Sequence, residues 1–226
     1  MTDDVLDTLQ APREPTGVTA PDRFGEARAH LRKADPVIGA LIDTHPDFDP
    51  RAWLDRLPKL DAFGALIFQI IGQQLSVQAT RTLLARVQDQ FGGHLPTPQQ
   101  VLAADPGLLH AAGLSRRKAQ TILALATEFA EHRITDDALR GMSDAEIEAE
   151  LTAIPGIGPW TVHGFLIVAL DRQDVVLPGD LALRRAIQRN YQLDHLPSQD
   201  EVLQIAEAWR PYRTLASTYL FASAYE

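Results

Sequence analysis

Residues 151–161 read LTAIPGIGPWT, and this break constrains the fold more than any other stretch of the chain. Apolar runs of helical period flank it on both sides. Pro155 ends the first run, because proline lacks an N–H and its ring clashes with the preceding turn. Pro159 suits the opening of a second helix, where a missing N–H costs nothing. Gly156 and Gly158 permit positive φ and close backbone approach, which a Cβ resists. The segment therefore reads as two helices joined by a tight hairpin. Spacings of three and four dominate elsewhere too, and strand-like alternation is nearly absent, so the chain is all-α with roughly ten helices.

Residues 1–23, with prolines at 12, 15 and 21, read as a flexible lead. The helical pattern starts at Phe24 and breaks near Pro36. LDAFGALIFQIIGQQLSVQATRTLLARVQDQF reads as one long helical pattern with Gly72 in its middle, ended by the loop GGHLPTP. Two helices then meet at Gly113-Leu114-Ser115, with Ser115 an N-cap, in a weak echo of the hairpin at Gly156. Ser143 with Glu146 three residues on forms a capping box at the head of an acidic helix. WTVHGFLIVAL follows the hairpin, DVVLPGD is a short extended link, and LALRRAIQRNY, SQDEVLQIAEAW and RTLASTYLFASAY complete the set.

The chain contains no cysteine, which excludes disulfides, thiolate metal sites and an iron–sulfur cluster. No apolar run reaches membrane-spanning length and the acidic N-terminus lacks a signal-peptide core, so a cytoplasmic protein is expected. A net charge of −9 argues against nucleic acid at first sight. Its distribution matters more than its sum. Residues 1–50 hold ten acids against five bases, and residues 136–150 hold six acids against one. The rest of the chain carries fifteen bases and fourteen acids, so a neutral or basic face remains open there. Arg116-Arg117-Lys118 reads either as part of such a face or as ordinary solvated surface.

The N–H groups of the hairpin and of the new helix's first turn can point outward together. Such a nest binds a phosphate without any cationic side chain. It sets register on DNA and reads no sequence. An ordinary αα-hairpin is the alternative for any glycine turn between helices.

Asp180, in LPGDLALRR, stands at the head of the next helix. It reads as an N-cap. A carboxylate there can also stabilise the positive charge that develops when a bond to a sugar's anomeric carbon breaks. Trp160 opens the helix after the hairpin, either as packing or as a π-face for an extruded base. A base alkylated on a ring nitrogen is often cationic, and a tryptophan face attracts cations. Such a base leaves as a neutral molecule, so no general acid is needed.

The segments IIGQQLSVQAT, AAGLSRRKAQTI, LTAIPGIGPWT, VVLPGD and AWRPYRTLASTYLF together resemble the helix-hairpin-helix DNA glycosylases. Within them the chain is similar to the alkylation-repair branch, the DNA-3-methyladenine glycosylase II type. The resemblance covers most of residues 25–226. It implies a two-lobed all-α fold with the active site in the inter-lobe cleft. The glycosylase domain would be residues 24–226, with one lobe of about 62–170 and a second of about 24–61 plus 171–226. It implies that a monomer binds double-stranded DNA, flips a damaged base out, hydrolyses its N-glycosidic bond and leaves an abasic site. Asp180 matches the catalytic aspartate. Trp160 stands where bifunctional relatives carry the Schiff-base lysine, so no strand cutting is expected.

In GQQLS one side chain would fill the gap left by the flipped base. Gln74 matches that position and Leu75 is adjacent; alternatively Leu75 is core and Gln73 and Gln74 bond backbone at the helix end. Ser76, Gly156, Ile157, Gly158 and Thr161 are the remaining candidates for DNA contact. Gly164, Leu181 and Phe221, with Trp160, would line the base pocket. Some relatives have tyrosine at the first two of these positions and tryptophan at the third. The smaller residues imply a wider pocket and a broader or different set of alkylated bases. No cofactor is required, although the resemblance allows a monovalent cation on the hairpin carbonyls of Thr152, Ile154 and Ile157. Competing readings are a glycosylase of the same fold for uracil or mismatched bases, a non-catalytic DNA-binding module, and a helical interaction protein.

Overall fold

The computed structural model describes residues 23–46, 48–50, 60–105 and 107–223. The expected N-terminal lead lies almost wholly outside them. Among the described residues there are thirteen α-helices, one 3-10 turn and no strand. The chain divides into two compact units, Lys59–Asp171 and the pair of segments Met1–Pro58 and Arg172–Glu226.

The continuous unit holds α3 (Ala62–Gly72), α4 (Val77–Gln90), α5 (Pro98–Ala103), α6 (Leu108–Ala111), α7 (Arg116–Ala130), α8 (Asp136–Gly141), α9 (Asp144–Thr152) and α10 (Pro159–Val168). Its helices start where the side chains dictate. Ser115 accepts from Lys118 N, and Ser143 with Glu146 closes both bonds of a capping box. Each such cap satisfies N–H groups that a helix end leaves open. α3 is the central element. Phe63, Ala65, Leu66, Ile67, Ile70 and Ile71 are all buried, and α4, α7 and α10 pack on it. A helix apolar on all faces is one surrounded by others.

The long pattern around Gly72 is two helices rather than one. α3 stops at Gly72, and Gln74 takes φ +60°. Ser76 then accepts from Ala79 N and begins α4. Local capping and a left-handed residue override a periodicity that continues across the break. The short helices α5, α6 and α8 account for most of the excess over the roughly ten expected, since a turn or two carries little periodic signal.

The discontinuous unit holds α1 (Gly25–Ala34), α2 (Pro36–Thr44), α11 (Leu181–Asn190), α12 (Gln199–Ala206), the 3-10 turn Glu207–Trp209 and α13 (Arg213–Ser223). Its core gathers Leu31, Ile38, Ile42, Leu183, Ile187, Val202, Trp209, Tyr219 and Leu220. A buried polar knot runs through it. Asp35 caps α2 through Val37 N and Ile38 N, and its second oxygen accepts from Tyr191 Oη at 2.5 Å and Trp209 Nε1 at 2.8 Å. Burial first, then the Asp35 carboxylate, pushes the Tyr191 phenol up and keeps it a donor.

Candidate functional site

The hairpin joins α9 to α10 through residues 153–158. Its two glycines serve different ends. Gly156 has φ +94°, and a Cβ there would sit 2.0 Å from Thr121 Oγ1 on α7. Both conformation and space demand glycine at that position. Gly158 is instead extended, with φ −118°, and a Cβ built on it would meet nothing within 4 Å. Of the two freedoms glycine permits, positive φ is therefore used at Gly156 and not at Gly158. It caps α10 without a side chain and leaves open space beside the turn. Pro159 takes the first turn of α10, as its chemistry suggests.

The N–H groups of Gly156 and Gly158 donate to no described residue, whereas Ile157 N–H is used on Ile154 O at 3.1 Å. Backbone donors left open at a helix start suit an anion. Ile157 is buried, at 5% exposure, and Thr161 at 2%. Thr161 Oγ1 accepts from Gln73 Nε2 at 2.9 Å. These two candidates for DNA contact therefore hold the hairpin from inside, and their side chains are not on its outer surface. The carbonyls of Thr152 and Ile157 accept from no described residue and that of Ile154 accepts once, so all three retain lone pairs for a monovalent cation.

The GQQLS segment is tied to the hairpin. Gln73 Nε2 also donates to Gly156 O at 3.1 Å. Lys118 Nζ donates to Ile71 O at 2.7 Å and Gln73 O at 2.9 Å, closing the carbonyl end of α3. Burial lowers its pKa. Lys118 is thus half-buried with its amine committed to the end of α3, while Arg116 and Arg117 beside it are exposed. Beyond this clamp, Gln74 and Leu75 stand out from the fold. Leu75 is 39% exposed, which removes it from the core. Gln74 is exposed and left-handed, a conformation that costs an L residue roughly 1–2 kcal/mol. Backbone strain of this kind clusters at functional positions. Ser76 is exposed and caps α4.

Trp160 is half-buried on the first turn of α10. Gly164, one turn later, is buried, and the place of its side chain is filled by Gln69, whose Oε1 lies 2.4 Å from an added Cβ. Glycine at 164 thus leaves no void on that side, which corrects the expectation of added width there. Gln69 and Thr121 were not singled out from sequence. A lone glutamine inside AFGALIFQIIG was the available signal for the first; nothing in the sequence pairs Thr121 with Gly156.

In the discontinuous unit, Asp180 ends a tightly held link. Asp174 is gripped by Arg213 Nε at 2.7 Å and Arg210 Nη1 at 2.8 Å. Val175 N donates to Thr214 Oγ1 at 3.0 Å, and Val175, Val176 and Leu177 are buried. A turn from Leu177 O to Asp180 N, 3.0 Å, then presents Asp180. Its Oδ1 accepts from Ala182 N at 2.9 Å and Leu183 N at 3.0 Å, so it is the N-cap of α11 and half-buried. Leu181 is 46% exposed beside it. Phe221 packs, partly buried, against the core of this unit.

Residues 67–211 match the profile described as HhH-GPD superfamily base excision DNA repair protein, a span that includes the hairpin, the α3 clamp and Asp180. The chain belongs to that superfamily. DNA-3-methyladenine glycosylase 1 of Schizosaccharomyces pombe is 29% identical over 201 residues, covering 88% of this chain and 87% of that protein. DNA-3-methyladenine glycosylase 2 of Escherichia coli is 31% identical over 180 residues, covering 74% of this chain. The chain spans 59% of that protein's length, and 63% of a Bacillus subtilis relative. Among solved structures, the S. pombe 3-methyladenine DNA glycosylase Mag1 in complex with abasic-DNA superposes with a TM-score of 0.80 at 28% identity, over 87% of this chain and 95% of that one. Among the described residues of this superfamily member, no helix is long and apolar enough to cross a membrane.

Proposed function

We propose that the protein is a monofunctional DNA glycosylase that releases alkylated bases such as 3-methyladenine from duplex DNA, the first step of base excision repair. The observation that carries the reading is the hairpin at Gly156–Gly158 with open N–H donors, followed at once by Trp160. The donors hold a phosphate, and the exposed tip at Gln74 and Leu75 fills the stack when a nucleotide leaves it. Trp160 offers its face to a cationic base. The C1′–N bond then breaks, its electron pair leaving with the base, which departs neutral. The sugar is left as an oxocarbenium ion, which the Asp180 carboxylate stabilises. Water adds at C1′ and gives up a proton, leaving an abasic site. Trp160 cannot form a Schiff base, so the strand stays intact. A monovalent cation on the carbonyls of Thr152, Ile154 and Ile157 would add positive charge at the phosphate site.

The test uses methylated duplex DNA with the wild type and with Asp180→Asn. Free base, abasic sites and strand breaks are measured, with duplex affinity alongside. Release by the wild type and its loss of about 100-fold or more in Asp180→Asn at unchanged affinity are expected. Equal release by both proteins would remove Asp180 from the chemistry. Strand breaks accompanying release would refute the monofunctional assignment.

A further inference from the structure

α3 is apolar along its length except at Gln69. Gln69 and Gln73 lie four apart and share one face of the helix. Gln73 spends its amide on Gly156 and Thr161. Gln69 lies over Gly164, with Oε1 2.4 Å and Nε2 3.2 Å from the place of a Cβ on that glycine. It is 6% exposed. Its amide makes no hydrogen bond with any described residue, in contrast with Gln73 one turn on. The residue is buried, yet its amide is not among the side-chain groups sealed from solvent without a partner, so the uncommitted tip of Gln69 keeps contact with solvent. Leucine or methionine would suit the rest of this apolar helix equally well. Gly164 is also one turn from Trp160 on α10, so the idle amide lies toward the face where an extruded base would stack.

We propose that Gln69 is a specificity-determining residue whose amide hydrogen-bonds the exocyclic group of the extruded purine. The inference rests on the glycosylase reading above. A carboxamide carries a donor and an acceptor that exchange places when it flips. Nε2 donates to the O6 carbonyl of an alkylated guanine, and Oε1 accepts from the N6 amino group of an alkylated adenine. The absence of a side chain at Gly164 is what lets the amide lie there. Within the alkylated bases assigned above, one amide at Gln69 can therefore serve both adenine and guanine derivatives.

Two near-isosteric variants separate this role from packing. Gln69→Glu, once ionised, only accepts; Gln69→Met fills the same space and does neither. Single-turnover release of 3-methyladenine and 7-methylguanine is measured at about pH 8, where an ordinary carboxylate is ionised. Thermal unfolding, affinity for undamaged duplex, and affinity for a duplex carrying a hydrolysis-resistant 2′-fluorinated 7-methylguanine nucleotide are measured alongside. Gln69→Glu should keep 3-methyladenine release within about threefold and lose about tenfold or more on 7-methylguanine, the worth of one buried hydrogen bond. Gln69→Met should lose about tenfold on both, with undamaged duplex bound as before. Wild-type rates in Gln69→Met, or an equal fall for both bases in Gln69→Glu, overturn the proposal. So does a fall in rate that tracks earlier melting and weaker binding of undamaged DNA, which packing would explain. If the wild type releases neither base, the glycosylase reading fails. The fluorinated duplex then still decides: binding about tenfold weaker in both variants supports the role of Gln69, and unchanged binding overturns it.

Discussion

Gly156→Ala is the most direct test of how the hairpin is built. Two costs meet at this position. At φ +94° an alanine is forced into a conformation that L residues avoid, worth roughly 1–2 kcal/mol. Its Cβ would also lie 2.0 Å from Thr121 Oγ1, 3.1 Å from Thr121 Cβ and 3.2 Å from its Cγ2. Thr121 is 4% exposed and cannot swing into solvent. Its hydroxyl is held by Arg117 O at 3.0 Å. Overpacking of this kind adds about 1–3 kcal/mol. The single substitution should therefore cost roughly 2–5 kcal/mol. Thr121→Ala removes Oγ1 and Cγ2 and leaves only the 3.1 Å approach. In that background Gly156→Ala should cost little more than its backbone share, about 1–2 kcal/mol. Urea unfolding of the four proteins, followed by tryptophan fluorescence, closes the cycle, with an expected coupling of about 1–3 kcal/mol. Equal costs in the two backgrounds would refute the steric argument. A cost below about 1 kcal/mol for Gly156→Ala alone would refute the conformational one.

Lys118→Met removes both donors to Ile71 O and Gln73 O. Because Lys118 is only half-buried, a loss of about 1–2 kcal/mol is expected, below the full worth of two charged hydrogen bonds. Amide exchange at Gln74 and Leu75 should quicken, and unchanged exchange there would refute the clamp. His195 sits between Asp194, at 2.7 Å, and Glu201, at 2.8 Å, which together raise its pKa, Asp194 first. The stability this gives is fully present below about pH 6.5, the ordinary histidine value, and is lost as pH rises through the raised one. The melting temperature of the wild type should therefore exceed that of His195→Gln more at about pH 5.5 than at about pH 8.5, and a difference flat with pH would count against the pairing.

How much of this was legible from the residues varies with the kind of information needed. Caps are local, so Ser115, Ser143 with Glu146, and Asp180 as the head of a helix could all be read from a few neighbouring letters. Helical period carried the fold class, but it ran smoothly through residues 73–76, where one left-handed residue and one serine cap end it. Periodicity reports which side is apolar, not whether the backbone is continuous. Contacts between distant segments were out of reach. The glycine at 156 is explained by Thr121, 35 positions earlier, and the glycine at 164 by Gln69, 95 positions earlier. Both glycines look like openings in the sequence and are filled in the structure. Gln73 was expected to touch either DNA or its own helix end. Its partners are on the hairpin, 83 and 88 residues away.

The same long-range contacts bear on the conflict between a net charge of −9 and the phosphate site proposed at the hairpin. The helix that enters the hairpin, α9, is acidic, yet two of its carboxylates are engaged. Glu146 accepts from Ser143 N–H at 2.8 Å, and Glu148 faces His163 Nε2 at 3.1 Å. The lysine tied to the α3 end, Lys118, donates its amine to the carbonyls of Ile71 and Gln73. What remains at the turn is the pair of open N–H groups at Gly156 and Gly158, with Arg116 and Arg117 exposed one turn before Thr121 on α7. Backbone donors fix the geometry of a bound phosphate and contribute little to the count of neutralised phosphates that governs salt dependence. On the function proposed above, affinity comes in addition from the nucleotide turned out of the stack, through the tip at Gln74 and Leu75 and the face at Trp160. On that reading an acidic net charge is compatible with DNA binding, because backbone donors at the turn rather than the summed charge make the phosphate contact.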